Sequence, residues 1–115
     1  MSDIRLSRDA DALICVLYKE FIRRRKSGES KQRARNMGGS PEIHRDLLPK
    51  WSFEDVDETC RELSRAGLIN CSWADDIAFL VFLSDAGIVY MENRFKDGLA
   101  SVLEHLEALR SIIPL

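Results

Sequence analysis

The sequence has no apolar run long enough to cross a bilayer. Its longest, Ile77 to Leu83, falls far short of the ~20 residues a spanning helix needs. The opening residues Met1-Ser2-Asp3-Ile4-Arg5 hold no apolar core of the secretory kind. A cytoplasmic protein that makes no membrane contact is therefore expected. Cysteine is scarce. Cys15, Cys60 and Cys71 are odd in number, far apart and without a C-x-x-C pair, so they read as small buried hydrophobes in a reducing compartment. There is no G-x-S-x-G, no Walker loop and no G-x-G-x-x-G. Gly38-Gly39 precedes a helix but lacks the lysine and spacing of a phosphate cradle. His44 and His105 stand on separate segments without a neighbouring Cys or paired His. His44 with Asp46 reads as a polar helix face, and His105 flanks the C-terminal apolar stripe. These absences argue against an enzyme and for a chain that takes no cofactor and no metal. No repeat of 20 to 50 residues and no low-complexity tract is visible.

What is there is one domain, 1–115, of ordinary composition, with 45% hydrophobic and 31% charged residues. A chain of this length hides roughly 65% of its unfolded surface. The formal net charge of -2 conceals an uneven distribution. Residues 1–38 carry 10 basic and 5 acidic groups, residues 39–70 carry 4 and 7, and residues 71–115 carry 3 and 7. A basic N-terminal third beside an acidic remainder leaves room for one localised electropositive patch.

From Ser7 the apolar residues Ala10, Leu13, Ile14, Leu17, Tyr18 and Phe21 recur at helical spacing. This long N-terminal helix ends in Arg23-Arg24-Arg25-Lys26, and Gly28 follows as its stop. Ser30 caps a short basic helix, Lys31 to Met37, closed by Gly38-Gly39, unless 27–39 is a loop. Ser40-Pro41-Glu42 starts a helix running to about Leu48 and stopped by Pro49. Ser52 caps the next, with Phe53, Val56, Cys60 and Leu63 on its core face and Gly67 at its end. The period then changes. Leu68 to Trp73 and Ile77 to Leu83, parted by Ala74-Asp75-Asp76, read as a hairpin. Its second strand is apolar on both faces, so helices or a second subunit should cover both sides. Ser84 caps a final long helix to residue 113. Ile88, Met91, Phe95, Leu99, Val102, Leu106, Leu109 and Ile113 form its near-heptad seam, widened by Leu103 and Ile112, and Pro114 ends it.

The fold class is thus mainly α with a small β-hairpin. Its element order resembles a winged helix-turn-helix with long N- and C-terminal helices: helix-turn-helix 41–67, wing 68–83 and a dimerisation helix 84–113. Leu83-Ser84-Asp85-Ala86-Gly87 resembles the L-[ST]-x-x-G that follows the second wing strand of MarR-like and PadR-like regulators. Leu63-Ser64-Arg65-Ala66-Gly67-Leu68-Ile69 resembles their junction between recognition helix and wing. The wider string from Trp51-Ser52-Phe53-Glu54-Asp55-Val56-Asp57 through Tyr90-Met91-Glu92-Asn93-Arg94-Phe95 is similar to a group of small bacterial proteins often met in mobile elements, which brings no activity with it.

The resemblance implies double-stranded DNA as partner, and the long apolar seam with the doubly apolar strand 77–83 predicts a homodimer joined through Phe95, Leu99, Val102, Leu106, Leu109 and Ile113. Arg23, Arg24, Arg25, Lys26, Lys31, Arg33 and Arg35 are the phosphate-binding candidates, with no aromatic residue interleaved for base stacking. The helix in the recognition position departs from the pattern. Its outer face is expected to carry Glu54, Asp55, Asp57, Glu58, Thr59, Arg61, Glu62 and Arg65, and the wing tip is Asp75-Asp76. Carboxylates repel phosphates, which leaves a second reading open: a winged helix turned adaptor or inhibitor, meeting a basic protein surface through Glu54, Asp57, Glu58, Arg61 and Glu62.

Overall fold

The computed structural model describes residues 4–115; Met1–Asp3, part of the stretch read above for a signal, lie outside the described residues. Helix α1 (Arg8–Lys26) begins where Ser7 Oγ accepts the Ala10 N–H, and acids at its start and cations at its end complement its dipole. The expected apolar stripe is six of the ten residues it buries. Ala12, Cys15, Val16 and Glu20 are buried as well, because α1 is the central helix, with other elements on several sides. No helix among the described residues is long and apolar enough to cross a membrane.

Helix α2 (Lys31–Ala34), capped by Ser30, is shorter than the Lys31–Met37 expected. After Ala34 the chain turns extended and pairs with the hairpin. Met37 N–H donates to the Val81 carbonyl at 2.8 Å, and Leu83 N–H to the Arg35 carbonyl at 3.0 Å. Those main-chain bonds compete with further helix and win. Helix α3 (Ser40–Asp46) is capped by Gly39, whose N–H donates to Glu42 Oε1 at 2.9 Å, and not by Ser40. The Ser40 hydroxyl is engaged elsewhere.

Helix α4 (Phe53–Arg65) starts at Ser52 and ends before Gly67, whose φ of 79° gives the left-handed turn into the hairpin. Strands β1 (Ile69–Ala74) and β2 (Ile77–Leu83) are antiparallel, with Asp75 and Asp76 both at positive φ in the two-residue turn. A tight hairpin needs such residues, and Asp tolerates the left-handed region better than most. The register shifts between Ser72 and Trp73, leaving Phe79 as the extra residue of a bulge. Ala78, Val81 and Leu83 are buried, whereas Phe79 stays 49% exposed and Phe82 half-buried. Within one copy the outer face of β2 is therefore only partly covered.

The long C-terminal helix is two helices. Helix α5 (Asp85–Arg94) ends at Phe95, and α6 (Leu99–Arg110) begins after Gly98, which takes φ 71° and ψ -137°. α6 folds back onto α1. Val102, Leu106, Leu109 and Ile113 are buried in the chain's own core with Phe95, and Leu99 is half-buried. Five of the six residues expected at a dimer seam are thus buried within one copy, because α1 offers α6 an apolar face. Burying each large side chain contributes roughly 1.5–3 kcal/mol. Cys15 and Cys60 are buried as expected, but Cys71 is only half-buried.

Gly87 opens the first turn of α5 directly against the Leu68 carbonyl, which a Cβ would strike. Backbone rather than a flexible side chain blocks that position. Gly87→Ala is expected to lower stability by about 1–3 kcal/mol in urea denaturation, the usual cost of forcing packed elements apart. Gly67→Ala, with open space around its Cβ, should cost only the left-handed strain of about 1 kcal/mol.

Candidate interaction surfaces

The seven cations of the basic segment do not form one free patch. Glu20 holds two of them, with Arg23 Nη2 at 2.5 Å and Arg24 Nε at 2.8 Å from its Oε2. The Arg23 hydrogen bond leads in holding the Glu20 carboxyl below its ordinary range, against the opposing effect of burial. Arg24 also donates to the Asn36 carbonyl at 2.6 Å, and Arg35 to the Leu83 carbonyl at 2.8 Å. Lys31 and Arg35 both reach Asp85, at 3.2 and 2.9 Å, and together keep its carboxyl low. Arg25, Lys26 and Arg33 are exposed and have no carboxylate partner among the described residues; Arg25 donates only to the Glu29 carbonyl. Along the sequence the run looks uniform. Arg24 and Arg35 are in fact the bolts that fasten the extended segment 35–38.

The acidic helix divides in the same way. Asp57, expected on its outer face, is buried. Its Oδ1 accepts from Ser40 Oγ at 2.8 Å and from the Ala78 N–H at 2.9 Å, and Arg61 reaches its Oδ2 at 3.3 Å. A carboxylate with three donors belongs inside, where its bonds join α3 and β2 to α4. Thr59 is buried as well. Glu62 caps the start of α1 from outside, accepting from Ser7 N–H at 2.9 Å and Ser7 Oγ at 2.7 Å. What remains exposed on α4 is Glu54, Asp55, Glu58 and Arg65.

Arg61 joins that surface to the hairpin. Its guanidinium lies 4.4 Å from the centroid of the Trp73 ring and donates to the Asp76 carbonyl. Trp73, 40% exposed, and the bulged Phe79 thus stand near the acidic tip. Neither aromatic was singled out from sequence, because alternation marks Trp73 as core and says nothing of a bulge.

A second constellation was also missed. Asp11, on α1, holds Arg94 at the end of α5 through both guanidinium nitrogens, at 2.5 and 3.1 Å, and His105 of α6 through Nε2 at 2.9 Å. Asp11, Cys15 and His105 offer metal-type ligand atoms within 4.8 Å of one another. Arg94 already supplies the cation there, and burial, foremost, pushes the Cys15 thiol up to about 12. The arrangement is an ion-paired latch. Its signal lay in the i, i+4 spacing of Asp11 and Cys15, but nothing local pointed to residues more than eighty positions away. His44, by contrast, gives its Nε2 to the Trp51 carbonyl at 2.8 Å, and Asp46 pairs with Arg45.

Comparison with protein-family models, with curated proteins and with solved structures found no match. The functional reading therefore rests on the surfaces themselves.

Burial acts first on Asp11 and raises its pKa, but the Arg94 and His105 hydrogen bonds and charges outweigh it, so the carboxyl sits below the ordinary 3.8. A depressed folded-state pKa adds stability that is fully present above the unfolded value and is lost as pH falls through the folded one. The parent should lose stability as pH drops below about 4. Asp11→Asn should start less stable near neutrality and lose less over the same interval. Urea midpoints at several pH values check this, and parallel curves for the two proteins would contradict it.

Proposed function

We propose that the chain is a non-enzymatic winged-helix regulator that acts by protein contact, with α4 and the hairpin tip meeting a basic partner surface. The element order, and the attachment of segment 35–38 to β2 ahead of α3, support the winged-helix reading. One observation carries the choice of partner. Glu54, Asp55 and Glu58 stand exposed on α4 without an ion pair among the described residues, while Arg23, Arg24, Lys31 and Arg35 of the basic segment are already paired. A helix that reads a groove meets phosphates on both sides, and each of these carboxylates repels them. A basic protein surface reverses the sign of every such term, and the exposed aromatics Trp73 and Phe79 supply the anchors typical of protein interfaces.

DNA binding is the second reading. Arg25, Lys26 and Arg33, exposed without carboxylate partners, favour it. Contact would then run through the end of α1 and through α2, hold phosphates without reading bases, and weaken steeply with salt.

The two readings separate in one titration, using a labelled Arg/Lys-rich peptide and a random-sequence DNA duplex, each at low and at physiological salt. Protein contact predicts that the peptide binds and that Glu54→Gln with Glu58→Gln weakens it about tenfold, with melting temperature unchanged, since exposed charges contribute within about 0.5 kcal/mol. Glu62 is left alone because it caps α1. DNA contact predicts instead that the duplex binds, and that Arg25→Ala, Lys26→Ala and Arg33→Ala together lower the salt slope by roughly one unit for each phosphate no longer neutralised. Duplex binding that tightens in the Glu variant, with no peptide binding, would overturn the preferred reading.

A further inference from the structure

The seam from Ile88 to Ile113 keeps its near-heptad spacing straight through the break between α5 and α6. No proline stands there. Phe95 closes α5 at φ -119° and ψ 71°, Lys96 and Asp97 lie exposed, and Gly98 opens α6 at φ 71°. Nothing lies within 4 Å of a Cβ built on Gly98, so a side chain there is opposed by the backbone's positive φ and not by a neighbouring atom, while Phe95 holds its end of the bend against the His105 ring. If residues 95–98 become helical, α5 and α6 form one helix, and Phe95 and Leu99 fall on the stripe that already joins Met91 to Val102.

The surface that α6 occupies is separable from the bend. α6 packs chiefly on α1, buries Val102, Leu106 and Leu109, and sets His105 against Asp11. The end of the chain is tied by the Trp51 indole N–H donating to the Pro114 carbonyl at 2.6 Å. None of these contacts requires that α6 belong to the same copy as α1. Arg94, the other partner of Asp11, lies before the hinge and stays in place whichever α6 arrives.

We propose that α6 exchanges between two copies of this chain: residues 95–98 straighten, α5 and α6 run as one helix, and each copy's α6 docks on the other's α1. The occupant is fixed by the fit, since the groove on α1 is the complement of this chain's own α6. Whatever packing one copy gives up, the other supplies. The balance therefore rests on the hinge and on concentration, and this is the ordinary route by which a short hinge yields an exchanged dimer. The exchange does not depend on which macromolecule α4 meets.

Sedimentation from micromolar to near-millimolar concentration reads the equilibrium. The parent should show a slowly exchanging dimer that grows with concentration. Gly98→Ala should raise its fraction about tenfold, because alanine is strained in the bent hinge and favoured in the straight helix. Inserting Gly-Ser-Gly after Asp97 should abolish the dimer by making the bend easy. Exchange is told from surface association by spin labels at Lys19 and Arg110, which line one cavity between α1 and α6. On a Cys71→Ser background diluted with unlabelled chain, the short α1–α6 distance should vanish from the dimer fraction. A distance that persists in the dimer overturns the proposal, as does a dimer indifferent to the insertion, or a parent and Gly98→Ala that both stay monomeric at the highest concentration. Should Gly98→Ala fail to fold, the parent and the insertion variant decide alone.

Discussion

The Asp57 carboxylate is the point on which three elements are hung. It takes the Ser40 hydroxyl from α3, the Ala78 N–H from β2 and the Arg61 guanidinium from its own helix. Ala78, which gives its N–H to Asp57, stands directly before the bulged Phe79. Because Arg61 is drawn toward Asp57, it comes to rest across the Trp73 ring. The position of α3, the tilt of the hairpin and the exposure of its aromatics thus share one buried charge, and a charge in that setting tolerates no missing donor.

Around that pivot the molecule sorts its ionic groups into two kinds. Some are structural: Glu20, Asp11, Glu62, Arg24, Arg35 and Arg94 each join elements distant in sequence or close a helix end. Others face water with no ion-pair partner among the described residues, among them Glu54, Asp55 and Glu58 on α4, Asp75 and Asp76 at the hairpin tip, and Arg25, Lys26 and Arg33 at the end of α1 and in α2. Only the second kind is available to a partner. Counting charges along the sequence merges the two, which is why the basic run looks stronger as a sequence than as a surface.

The sequence made legible whatever depends on near neighbours. Ser7, Ser30, Ser52 and Ser84 each cap the helix they precede, and Gly28 and Gly67 take the left-handed turns expected of them. The hairpin and its turn were equally plain. What failed was distant in origin. Asp57 reads as surface because two of its three partners, Ser40 and Ala78, come from other elements. Arg35 to Gly38 reads as the tail of a helix because a strand so short shows no alternation. The seam through Phe95 and Leu99 reads as continuous because periodicity does not register one glycine's choice of φ. In each case a tertiary contact outweighed a local preference that was itself correctly read.

The guanidinium groups of Arg24 and Arg35 fasten the extended segment through carbonyl oxygens, at Asn36 and Leu83. A carbonyl brings no counter-charge to be screened, and both arginines are largely withdrawn from solvent. Ionic strength that dissolves the Lys31–Asp85 pair on the surface leaves these bonds in place. The attachment of segment 35–38 therefore outlasts the ionic strength that weakens the pairs around it, and changes in electrolyte act on the surface charges before they reach this join.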